Sequence, residues 1–233
     1  MEKAYKKIVY LFVIILIIVI LGFYKTYFGL FPGFEDVSAI VHFHAITLSI
    51  WSLLIIVQPI LIHYKKITVH RFLGKLSYGL VPLIIYSTLA LARSKFFEKQ
   101  GNITPEDNLA NLFLPFSHVL LFTIFYVLAI VNKRKSFIHM RYMIATSFVA
   151  LAPAISRINF SWTGIQFRTL TFSYIFIDLL LLGLIIYDIL NKKTYKAYFI
   201  ALTLFIIVHF STFYFVKTEL WQSFSTKIVK NVF

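Results

Sequence analysis

Four ionisable side chains stand in stretches that are otherwise strongly apolar: His44, His118, Asp178 and His209. Three neutral imidazoles and a carboxylate match a zinc or similar metal centre, which would generate a hydroxide nucleophile. Two imidazoles on facing helices would instead ligate a b-type haem, with Arg157 or Arg168 near its propionates. An Asp–His chain would relay protons in a transporter. The spacings are non-local, so the residue types admit all three. A membrane bundle also uses such groups simply to join helices. Asp178 is the least easily dismissed, because a lone carboxylate in hydrocarbon needs a partner or a proton.

Around the first histidine lies His42–Gln58, HFHAITLSIWSLLIIVQ, apolar enough to cross a bilayer. His44, Trp51 and Gln58 recur every seven residues, close to two helical turns, and so form one stripe. Lipid cannot satisfy such a stripe, so it faces protein or a wet cavity. His42 lies about 200° around the helix from His44 and belongs to the outer rim. Trp51 reads as packing. Gln58, just before Pro59, reads as support for a distorted helix end.

These residues need elements to hold them. Of 233 residues, 60% are hydrophobic and 18% aromatic, with a mean hydropathy of +0.83. That excludes a soluble globular domain and fits an all-α polytopic membrane protein. The absence of cysteine excludes disulfides, thiolate-held clusters and cysteine catalysis. The net charge of +14 sits in short loops between apolar runs, which argues against nucleic acid as a partner and for the lipid bilayer. Seven spans are expected, at 8–24, 37–63, 69–92, 105–132, 137–157, 170–190 and 197–216. The first follows MEKAYKK without a small-residue cleavage site and reads as a retained span. Residues 217–233 place Leu220, Trp221, Phe224 and Ile228 at helical spacing, as a tail lying along the outer interface.

The basic residues orient this seven-helix bundle. With the N-terminus cytoplasmic and the C-terminus outside, the inner segments hold 14 of the 23 Lys and Arg, Lys3 and Lys6 among them. Six of the nine acids, including Asp36, fall outside. At about 1.5 Å per residue, His44 then sits roughly 10 Å beyond the midplane, His118 about 5 Å, and Asp178 and His209 about 3 Å. Arg157, about 12 Å out on the same side, is their polar support. Thr104-Pro105-Glu106-Asp107 is a helix start with a cap, an N1 proline and two acids. Pro115 should kink the helix three residues before His118. Thr68 and Ser136 look like caps, and Gly74 and Gly79 like close-packing positions.

A second cluster marks the inner face. His70-Arg71 and His139-x-Arg141 each fall near a helix start, where anions are favoured. A phosphate, an anionic lipid headgroup or an acidic partner would dock there, although the positive-inside bias alone also accounts for it.

The pattern His44…Gln58-Pro59…His70-Arg71-x-x-Gly74, with His139-x-Arg141-Tyr142-Met143 and Arg157 later, resembles an uncharacterised bacterial family of multi-pass membrane proteins. Trp51 and Ser77-Tyr78 resemble its branch common in flavobacteria. The resemblance covers about residues 38 to 160. It implies a bacterial inner-membrane location and no established activity. Two other families match less. Seven-span hydrolases related to adiponectin receptors share Ser38-x-x-x-His42, but Phe205 and Phe213 stand where His209 would need a histidine partner. For two-haem cytochromes of the b561 type, His44 and His63 lie about 28 Å apart along one helix, too far for two closely coupled haems on it.

The expected function is therefore a histidine-rich site in the outer half of the bilayer that binds haem b or a metal and is redox-linked. The alternatives are a zinc-dependent membrane hydrolase acting on lipid, and a non-catalytic membrane subunit or proton-coupled transporter working with other membrane subunits.

Overall fold

The computed structural model describes residues 7–35, 37–163 and 169–233, with side chains omitted over 159–169. Lys3, Lys6, Asp36 and Arg168 lie outside the described residues. Among the described residues every regular element is a helix, apart from one isolated bridge between Gln100 and Ile103. Its helices are α1 (Ile8–Gly22), α2 (Ala39–His63), α3 (Ile67–Lys99), α4 (Pro105–Asn111), α5 (Phe113–Val131), α6 (Ser136–Phe148), α7 (Leu151–Thr163), α8 (Thr169–Leu190), α9 (Lys196–Tyr214) and α10 (Glu219–Asn231).

Six segments are long and apolar enough to cross a membrane: α2, α3, α4–α5 together, residues 136–158 across α6 and α7, α8 and α9. This is a helical, multi-pass membrane protein. Helix α1 is apolar but has only 15 residues, about 22 Å against a hydrocarbon core of about 30 Å. Residues 136–158 form the centre of the bundle, with 67% of their apolar window buried against 17–33% in the other five. Around them α2 packs on α3, α5 on α6, α1 and α8 on α7, and α9 on α8 and α6.

Proline sets the two interruptions. Pro115 is the third residue of α5 and cannot donate to the Asn111 carbonyl, so the helix breaks at Leu112. Pro153 has the same place in α7, and the span expected as one helix over 137–157 divides into α6 and α7. Thr104 accepts from the Asp107 main-chain N–H at 3.1 Å, the cap read from sequence.

The other two caps are corrected. Helices α3 and α6 begin after Lys66 and Lys135, neither with a side-chain cap. Thr68 and Ser136 lie inside the first turn, past the position from which a hydroxyl reaches the free N–H groups. The connections before and after are tight. Lys65 and Lys192 take left-handed φ values of 57° and 52°. Lys66 N–H donates to Leu61 at 2.8 Å and Lys193 N–H to Asp188 at 2.8 Å, so α2 and α8 end in Schellman turns built on lysine.

The glycines are also reassigned. A Cβ at Gly74 or Gly79 would meet nothing within 4 Å, so neither is a close-packing position. Gly22 is one: a Cβ there would come within 2.7 Å of Ala154 Cα. This contact seats the end of α1 on α7.

Residues 219–231 form α10, as expected of the tail, but its four apolar residues do not share one environment. Trp221 is buried against Phe113 and Phe215, and its indole N–H donates to the Leu109 carbonyl at 3.0 Å. Leu220 and Phe224 point away from the bundle.

Candidate functional site

The helix ends sort the polar groups into two sets. The end carrying residues 23–35, 100–112 and α10 holds His44, His118, Asp178, His209 and Arg157. The end with the turns at 64–66, 132–135 and 191–195 holds Gln58, His70, His139, Arg141 and Asp188.

At the first end α8 and α9 bring Asp178 and His209 together, with His209 Nδ1 3.0 Å from Asp178 Oδ2. The sequence demanded a partner for this carboxylate, and His209 is that partner. Tyr174, one helical turn before Asp178, stacks flat on the imidazole with centroids 4.0 Å apart and bonds Thr212 at 3.3 Å. The His209 side chain is 7% exposed; Asp178 is 27% exposed and lines an open apolar groove of about 210 Å³ with Ile175, Leu179, Leu182, Leu202 and Ile206. Asp178 Oδ1 is buried without a hydrogen-bond partner. A carboxylate with one oxygen satisfied in hydrocarbon is costly unless it carries a proton or faces a charged imidazole.

His118 belongs to the same neighbourhood, within Coulombic range of His209. Its Nδ1 donates to the Leu114 carbonyl at 2.7 Å, so the proton is on Nδ1 and the Nε2 lone pair is free. His44 stands apart. Its Nδ1 meets Ser87 Oγ at 3.2 Å, and Thr47 bonds both Ser87 Oγ at 3.2 Å and the His44 carbonyl at 2.9 Å. Arg157 lies within Coulombic range of His44 and sets its guanidinium over the Phe23 ring at 4.6 Å, donating to the Pro153 carbonyl at 2.8 Å. The expected four-ligand set is thus not one set. Among the described residues no three His, Asp or Glu side chains come together as metal ligands.

The α2 stripe does face protein. Trp51 is 4% exposed and meets Phe122 and Tyr126 edge-on at 5.0 and 5.9 Å. This bears out packing, with one addition: its buried Nε1–H has no hydrogen-bond partner. Gln58 does more than support its own helix. With its amide nitrogen turned towards α3, it donates to His70 Nδ1 and accepts from the Gly74 main-chain N–H at 3.2 Å. Gln58 at the end of α2 is therefore in contact with His70 and Gly74 in the first turns of α3.

At this second end Arg141 is withdrawn from the expected anion-binding group. Arg141 is fully buried and bound to Asp188, with Nε to Oδ2 at 2.6 Å and Nη2 to Oδ1 at 2.8 Å. Its Nη1 donates to the Phe137 carbonyl at 2.7 Å, and the guanidinium lies 5.7 Å from the Tyr198 ring centre. A guanidinium committed to a buried carboxylate does not serve an anion at the surface. Sequence reasoning missed Asp188; the signal was a second acid inside the expected span 170–190. Arg71 is exposed, and His70 and His139 lie within Coulombic range of each other. His139 Nδ1 donates to the Ala129 carbonyl at 2.8 Å, leaving Nε2 as an acceptor. His70 accepts at Nδ1 from Gln58, so its Nε2 carries the proton.

No family model, no curated protein and no solved structure matches this chain.

Proposed function

We propose that the chain works as a proton-exchanging membrane protein, with His118, Asp178 and His209 as its working centre. The observation that carries this is the Asp178–His209 contact between two apolar helices long enough to span a membrane, with one carboxylate oxygen unpartnered and a free Nε2 on neighbouring His118. Such a group takes up and passes on a proton without changing its packing, because the proton moves along bonds already formed. Tyr174 fixes the His209 ring by stacking, and Thr212 fixes Tyr174.

The protein sits in the bacterial inner membrane with its N-terminus cytoplasmic, α1 as a seventh, thin span and the C-terminus outside. Lysines in the turns at 64–66, 132–135 and 191–195 support this orientation. The working centre then lies in the outer half of the bilayer, and Leu220 and Phe224 of α10 face the outer interface.

Proteoliposomes loaded with a pH-sensitive dye and driven by a potassium diffusion potential test the proposal. The wild type should take up protons well above protein-free vesicles, and Asp178→Asn and His209→Asn should each lower the rate at least fivefold. Wild-type uptake equal to empty vesicles, or variants equal to wild type, would refute it.

A second reading has its own observation. The free Nε2 of His118 and the Nε2 of His209, whose Nδ1 is held by a carboxylate, are oriented as metal or haem ligands are. A Soret band that shifts on dithionite reduction and is lost in His118→Ala and His209→Ala, but kept in His44→Ala, would favour haem b. Stoichiometric zinc with lipid hydrolysis abolished by chelation would favour the hydrolase instead.

A further inference from the structure

The seam between α2, α3 and α5 carries polar groups from one end of the bundle to the other. At the His70 end, His139 and His70 lie within Coulombic range of each other, and Gln58 joins His70 to Gly74. One turn further, Ser77 Oγ donates to the Gly74 carbonyl at 2.5 Å and meets the Tyr126 hydroxyl at 2.7 Å. Tyr126 adjoins Trp51, whose Nε1–H is buried and unpartnered. One turn beyond Trp51 on the same face stands Thr47, bonded to Ser87, which is bonded to His44. From His44 to Gln58 is about 21 Å along α2, most of a hydrocarbon core of about 30 Å.

We propose that this seam is a proton path across the membrane, joining His139 and His70 to Thr47, Ser87 and His44. The inference rests on the proton-exchange reading and names its route. Ser77, Thr47 and Ser87 point their hydroxyl protons at the Gly74, His44 and Ile84 carbonyls, so a hop begins when a hydroxyl turns to its side-chain neighbour; each hop then breaks one O–H or N–H bond and forms the next, with nothing oxidised or reduced. Two links need water. One is at Gly74, which Gln58 and Ser77 both meet through its main chain and where a Cβ would meet nothing within 4 Å. The other is at Trp51, where the unpartnered indole N–H is a ready anchor for a water between Tyr126 and Thr47. Phe122, against Trp51, lies one turn from His118 on α5, which links the middle of the seam to the helix that carries His118.

Gly74 makes the proposal testable, because its structural and functional effects have opposite signs. A Cβ meets nothing there, and alanine is favoured over glycine inside a helix. Gly74→Ala should therefore leave thermal stability equal or higher, yet lower proton uptake in the same vesicle assay about twofold to fivefold. Gly74→Leu should lower it at least tenfold, and Tyr126→Phe at least fivefold with the fold retained. If these three variants conduct like wild type while Asp178→Asn and His209→Asn do not, the route is wrong and the working centre stands. If wild type conducts no better than empty vesicles, both fall. A drop in Tyr126→Phe matched by loss of folded protein, with both Gly74 variants conducting normally, would leave the seam a structural network and overturn the proposal.

Discussion

Removing the Asp188 carboxylate should be among the most damaging single changes in the bundle. Arg141 and Asp188 are both 0% exposed and share two hydrogen bonds, of 2.6 and 2.8 Å. No solvent screens them, so the usual discount for surface ion pairs does not apply. Asp188→Asn keeps the shape and loses the charge, leaving the guanidinium without this counter-ion beside the Phe137 carbonyl and the Tyr198 ring. Breaking one side of a buried pair costs about 3–5 kcal/mol. That corresponds to an unfolding constant raised about a hundred- to a few-thousand-fold. Replacing both partners with apolar residues of similar size, as in Arg141→Met with Asp188→Leu, should recover most of the loss. The assay is reversible unfolding in mixed detergent and SDS micelles, followed by tryptophan fluorescence, for wild type, both single variants and the double variant. A cost below about 1 kcal/mol for Asp188→Asn would show that the charges are not held as described. A double variant as unstable as the sum of the singles would refute the reasoning, since the cycle would then contain no coupling.

Gly22→Val should force α1 away from the Ala154 backbone at a cost of about 1–3 kcal/mol, while Gly33→Ala, where a Cβ meets nothing, should be neutral. Faster proteolysis within residues 23–35 in the first variant alone checks this. Trp221→Ala removes a buried ring and its bond to Leu109, and should speed hydrogen exchange over 219–231 severalfold with little change in the core spans. Equal exchange in variant and wild type would show that α10 is held by other contacts.

Periodicity and hydropathy located all the apolar segments here, because a span must satisfy its own backbone and so advertises itself locally. Pro115 likewise announced a break, since the missing N–H is a property of one residue. The errors came where a residue's role depends on what faces it across the bundle. Arg141 looked like a surface cation because it is near a helix start, and only the arrival of Asp188 from α8 makes it an interior one. Gly74 looked like a packing glycine, yet the helix that approaches it brings the Gln58 side chain to its N–H rather than a backbone to its Cα. The stripe of His44, Trp51 and Gln58 was legible as inward-facing. Which helix each member meets was not, and that is what divides them: Ser87 on α3, Phe122 and Tyr126 on α5, and the first turns of α3.

That division bears on the chemistry. Four dispersed ionisable groups on four helices suggested one haem- or metal-binding site, because a shared leaflet was all that sequence depth could establish. In the folded chain, His44 is bonded to hydroxyls, His209 to a carboxylate and His118 to a helix carbonyl. Each imidazole has its Nδ1 engaged, and its surroundings differ from those of the others. A metal site wants several lone pairs converging on one point, whereas a relay wants donors and acceptors in series. At the other end of the bundle, His139 donates from Nδ1 to the Ala129 carbonyl and His70 meets the Gln58 amide, again in different surroundings. On the proton-exchange reading proposed above, His44, His118 and His209 serve as separate steps rather than as ligands of one ion.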